Sequence, residues 1–82
     1  MPLAELRTKA KVIGTKQVKK ALNKGLVKKV FLADDAEPHI IVPLEKLCHQ
    51  NEVETERVES MKILGNACGI EVGSAVVAIL IE

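Results

Sequence analysis

The sequence predicts an α/β protein, a three-layer α/β/α sandwich around a small, mixed four-stranded sheet. Three observations carry that expectation. Helical stripes alternate along the chain with short runs rich in β-branched residues, the order that builds a sheet covered by helices. No connection between these segments is long, and no internal repeat or low-complexity linker interrupts them. Hydrophobic residues make up 48% of the 82 residues, which suits one compact core at a length where packing must be efficient. Residues 1–82 are therefore expected to form a single domain.

The elements follow in order. Pro2 to Ala10 reads as a first helix, with Pro near its start and Leu3, Leu6 and Ala10 on one side. Lys11-Val12-Ile13 is a short strand that delivers the chain to Gly14. From Thr15 to Gly25 a helix is expected, with Val18, Ala21 and Leu22 on one face and Lys16, Lys19, Lys20 and Lys24 on the other. Thr15 is the expected cap at its start, and Gly25 the left-handed residue that ends it. Lys28 to Ala33 is a strand covered on both faces, followed by a turn from Asp34 to Pro38. His39 to Asn51 carries a helical stripe of Ile40, Ile41, Leu44, Leu47 and Cys48. Pro43 interrupts it, so the helix either starts near Pro43 or is kinked there. Val53 to Val58 alternates as a strand with one wet face. Ser60 caps a short helix from Met61 to Ala67, the loop Gly69 to Gly73 follows, and Ala75 to Ile81 forms a buried strand.

Net charge is +1, but the charges are segregated. Residues 1–33 hold nine Lys/Arg against Glu5 alone, whereas residues 34–82 hold three against ten acids. The basic part coincides with the helix entered through Gly14. A helix N-terminus concentrates partial positive charge on unpartnered N–H groups, so this start, flanked by lysines, suits an anion and above all a nucleic-acid backbone.

Several other chemistries lack their residues. The Gly14 junction has neither the Gly-x-x-x-x-Gly-Lys-Ser/Thr nor the Gly-x-Gly-x-x-Gly pattern of nucleotide loops, and no cofactor is implied. His39 and His49 lack companions for a metal site. Cys48 and Cys68 form no Cys-x-x-Cys, and two reduced, buried thiols are expected. Asp34, Asp35 and Glu37 fit the structural acids of a turn better than a catalytic cluster. The longest apolar run, Ala75 to Ile81, is seven residues, too short for a membrane helix, and no signal segment opens the chain. A non-enzymatic, cytoplasmic monomer is the expectation.

Phe31 is the single aromatic residue, and it lies in an apolar strand. Modules that read single strands stack bases on exposed rings, which this chain cannot do. Regular A-form RNA hides its base edges in a deep, narrow groove that a helix cannot enter. The ligand favoured by these constraints is a bent, folded RNA. Ile70 and Val72, in a glycine-bounded loop, either tuck onto the sheet or form an apolar pad for an unstacked base.

Gly-Thr-Lys-Gln-Val-Lys-Lys-Ala from Gly14, paired with Leu-Gly-Asn-Ala-Cys-Gly-Ile-Glu-Val from Leu64 and with Ala-Asp-Asp-Ala-Glu-Pro from Ala33 between them, resembles the kink-turn-binding ribosomal-protein family. That family has archaeal and eukaryotic members in ribosomes and box C/D ribonucleoproteins, and this chain is most similar to the small bacterial YbxF-type branch. The resemblance runs from about Leu6 to Ile81. It implies binding to a kink-turn, a sharply bent RNA helix with tandem sheared G·A pairs and a short bulge, in a ribosome or another ribonucleoprotein. Gly14, Thr15, Lys16, Gln17 and Lys20 match the positions that meet the G·A pairs. Glu37 matches a position near the bulge, and Ile70, Glu71 and Val72 match the loop that packs on the bulged nucleotides. The archaeal pattern has Asn and Glu where this chain has Lys16 and Gln17. A lysine can donate to guanine O6 or N7, and glutamine offers one acceptor and one donor group in place of a carboxylate. A protein-interaction adaptor, using the acidic segment from Asp34 to Glu59, is the second expectation.

Overall fold

A computed structural model describes residues 10–70 and 72–81. Its elements are β1 (Lys11–Ile13), α1 (Thr15–Asn23), β2 (Val27–Ala33), α2 (Pro38–Gln50), β3 (Glu54–Val58), α3 (Met61–Ala67) and β4 (Val76–Leu80). The expected first helix, Pro2 to Ala10, lies outside the described residues except for Ala10, whose carbonyl accepts from the Leu80 N–H at 2.9 Å.

The four strands form one mixed sheet in the order β1-β4-β2-β3. β4 runs antiparallel to both β1 and β2, and β2 runs parallel to β3. The two central strands carry the core. Val30 to Ala33 and Val76 to Ile79 are fully buried, so both faces of the sheet centre are covered, as in the expected sandwich. Around them pack Val18 and Leu22 of α1, Ile41, Leu44 and Cys48 of α2, and Leu64 of α3. Burial pushes the Cys48 thiol up to about 11, helped by the nearby Glu45 charge, which keeps it neutral.

The helix ends share one device. After α1, the Gly25 N–H donates to the Leu22 carbonyl and the Leu26 N–H to that of Ala21, both at 3.1 Å. After α2, Glu52 and Val53 donate to His49 and Cys48, and after α3, Gly69 and Ile70 donate to Asn66 and Gly65. Each is a Schellman closure with a left-handed residue at its corner. Gly25 (φ 70°) and Gly69 (φ 82°) fill that corner without strain, whereas the α2 closure uses Glu52 at φ 57°.

Two local expectations are corrected. Thr15 is the first helical residue of α1, and the cap position is Gly14, with no side-chain capping bond. The Gly14 backbone (φ 100°, ψ 152°) turns the chain out of β1, while its carbonyl already accepts from the Val18 N–H at 3.0 Å. Of the two alternatives for α2, the start near Pro43 is the one that fails. Pro38 in the first turn, with its fixed φ, opens the helix five residues earlier. The helix then runs through Pro43, which is exposed, so the His39 carbonyl that loses its donor lies beside water.

Candidate nucleic-acid interface

Sheet topology gathers the matched motifs. Because β1, β2 and β3 all run opposite to β4, their C-terminal ends lie together with the start of β4. Each of these three strands leads into a helix. The N-termini of α1, α2 and α3 therefore emerge from one end of the sheet, beside the loop that enters β4. Three helix starts that share one end add their partial positive charges there.

Short bonds tie that end together. The Gly14 N–H donates to the Val76 carbonyl at 3.1 Å, and the Ala33 N–H to the Ala75 carbonyl at 2.9 Å. The Asp34 N–H donates to the Val58 carbonyl at 2.7 Å. Asp35 Oδ1 accepts from the Met61 N–H at 2.8 Å, joining the 34–37 turn to the start of α3. Ser60 Oγ accepts from the Ile63 N–H at 3.1 Å, as its capping role requires. Arg57 donates to Asp34 at 2.9 Å and to Glu45 at 2.8 Å, bracing the turn against α2 and β3. The hydrogen bonds it donates to Glu45 and Asp34 raise the Arg57 pKa above its ordinary value.

The loop before β4 is held as firmly. A Cβ at Gly65 would collide with the Val72 carbonyl oxygen, and one at Gly73 would sit 3.1 Å from the Met61 Cβ. The Ser74 N–H donates to the Met61 carbonyl at 3.0 Å, and the buried Ser74 hydroxyl donates to the Val76 carbonyl at 2.9 Å. Gly65 and Gly73, lacking a Cβ, thus let the loop lie directly on α3.

The expected site residues separate by exposure. Lys16, Gln17 and Lys20 are exposed on the outer face of α1, together with Lys19 and Lys24, and Thr15 is half-buried. No carboxylate among the described residues pairs with these lysines. Gly14 has open space where a side chain would point. Glu37 is exposed at the cap position of α2, 3.0 Å from His39 Nδ1. Of the apolar loop pair, Ile70 is half-buried and Val72 is 70% exposed. Glu71 lies outside the described residues.

The acidic segment is largely engaged within the protein. Lys29 Nζ lies 3.0 Å from Glu56 and 3.3 Å from Glu54, and Arg57 holds Asp34 and Glu45. Burial lowers the Lys29 pKa, but its bonds to Glu56 and Glu54 outweigh that effect and leave it raised. Asp35 and Gly65 are the positions whose part in the site was missed. The acid cluster 34–37 signalled a turn, and only the folded chain brings Met61 to it.

A small α/β sandwich with this glycine-entered basic helix and this α3-braced loop defines a class. The chain belongs to the ribosomal protein L7Ae/L30e/S12e/Gadd45 family, whose model matches residues 3–82. It is 49% identical over 70 residues to a protein of Bacillus pumilus named RNA-binding protein, covering 85% of each chain. It is 46% identical over 69 residues to the RNA-binding protein YbxF of Geobacillus stearothermophilus, covering 84% of each. Among solved structures, the 15.5kD RNA binding protein of Giardia lamblia superposes with a TM-score of 0.84 at 29% identity, covering 99% of this chain and 67% of that one. No described helix is long and apolar enough to cross a membrane.

Proposed function

We propose that this protein binds RNA without catalysing a reaction, and that its ligand is the kink-turn of a ribosomal or other ribonucleoprotein RNA. The observation that carries the proposal is the convergence, at one end of the sheet, of the basic start of α1, the start of α2 and the apolar loop at Val72. Family membership and relatives named for RNA binding support the same ligand class.

The geometry suggests a division of labour. The α1 start offers backbone N–H groups, and Lys16 and Gln17 offer donors and an acceptor to guanine edges exposed where sheared pairs widen the groove. Lys20, one turn further on, faces the phosphates, whose displaced counterions make binding salt-dependent. Glu37 and the exposed Val72 face the bulge, where Val72 supplies an apolar contact for an unstacked base. RNA that kinks only part of the time when free is captured in the kinked state, because only that state meets all three elements.

Titration of a labelled kink-turn duplex tests this reading. Tight binding is expected, with a large loss when the tandem G·A pairs are replaced by Watson–Crick pairs. Equal affinity for both duplexes would reduce the protein to a non-specific RNA binder.

A further inference from the structure

We propose that Asp35 is a positioning residue of the RNA interface, one that sets the Val72 loop by holding the start of α3. The inference rests on the proposed kink-turn function and adds a residue to it. Asp35 stands in the turn between β2 and α2, two residues before Glu37. Its Oδ1 accepts from the Met61 N–H at 2.8 Å, and the Met61 carbonyl accepts from the Ser74 N–H at 3.0 Å. Two hydrogen bonds through one residue thus connect the α2 start to the far end of the apolar loop.

Three further features make this connection stiff. A Cβ at Gly73 would sit 3.1 Å from the Met61 Cβ, so the loop lies directly on Met61. The Ser74 hydroxyl is fixed to the Val76 carbonyl. Gly65 lets the Val72 carbonyl rest against α3. A displacement at Met61 must therefore move Gly73 and Ser74, and Val72 with them.

Charge points the same way. Asp35 is an exposed carboxylate at the end of the molecule where helix starts and lysines favour an anion. Facing phosphate directly, it would repel the ligand. Its carboxylate is satisfied by a helix-start N–H, a geometry in which a negative oxygen is stabilising.

The test compares Asp35→Ala with Asp35→Asn in the full chain, whose carbonyl can still accept from Met61. Thermal unfolding is measured alongside, and the Ser60 cap keeps α3 closed in both variants. Asp35→Ala is expected to weaken kink-turn binding about fivefold, the size of a lost helix-start bond. Asp35→Asn should stay within about twofold of wild type, since the accepted bond survives. Val72→Ala should cost much less in the Asp35→Ala background than alone, because the loop is already displaced. Hydrogen exchange without RNA isolates the tie from the RNA reading. Asp35→Ala should speed exchange of the Met61 and Ser74 amides and leave that of Val18 in α1 unchanged. Unchanged Ser74 exchange, an Asn variant as weak as the Ala variant, or full additivity with Val72→Ala would each overturn the proposal. If the wild type does not distinguish the kink-turn from its Watson–Crick control, the kink-turn reading fails while the exchange data still judge the tie.

Discussion

Lys20, in the proposed interface, and Glu52, in a helix closure, make separable predictions at the scale of single residues. Lys20 is exposed on the outer face of α1, away from the buried Val18, Ala21 and Leu22, so its replacement leaves the core intact. Lys20→Ala should weaken RNA binding and lower the slope of log affinity against log salt by about one, the signature of one lost phosphate contact. An unchanged slope would remove Lys20 from the phosphate path. Gly14 tests docking less cleanly: at φ 100° any side chain strains the backbone, whatever the RNA does. Glu52 belongs to the fold alone. It holds a left-handed corner that the other two helix closures give to glycine, which has no Cβ to clash there. Glu52→Gly should raise stability by about 1 kcal/mol, read as a higher denaturation midpoint at unchanged m-value, with RNA binding unaltered. A fall in stability would mean that the Glu52 side chain makes a compensating contact.

At the scale of elements, legibility followed locality. The stripe Val18, Ala21, Leu22, the left-handed Gly25 and the Ser60 cap depend on neighbours in sequence, and each was readable from spacing and residue type. Thr15 misled because the positive φ of Gly14 moves the cap position back by one, and a threonine beside a glycine does not reveal that angle. Pro43 left two readings of α2 open because its cost depends on facing solvent, a property of the packed helix and not of the residue. The bond from Asp35 to Met61 spans 26 residues, and the approach of Val72 to Gly65 depends on the path of the loop. Both are tertiary facts. Gly65 gives the sharpest prediction at this scale. In an ordinary helix Gly→Ala would stabilise by up to about 1 kcal/mol, but here the new Cβ meets a backbone carbonyl that cannot rotate away. Gly65→Ala should destabilise by about 1–3 kcal/mol in denaturant unfolding and weaken RNA binding as the loop lifts. A stabilised variant with full affinity would show that the loop need not rest on α3.

For the whole molecule, the parallel course of β1, β2 and β3 is the organising fact. It directs three helix starts to one end and so converts segregated charge in the sequence into a directional surface. The lysine-rich α1 starts at that end, while Lys29 and Arg57 tie up acids of the second half in ion pairs. A near-neutral protein can thus present a positive face, with an apolar contact at Val72 beside it. The two motifs that carry the family resemblance lie about fifty residues apart in sequence and meet only through this topology. The proposed function requires that such a two-sided surface select bent RNA over straight RNA. That selection is measured most directly by energy transfer between dyes on the two stem ends of a kink-turn duplex. Adding protein should shift the population to the short end-to-end distance, with no shift for the duplex whose G·A pairs are replaced by Watson–Crick pairs. Binding without a change in end-to-end distance, or the same change in both duplexes, would contradict recognition of the kink.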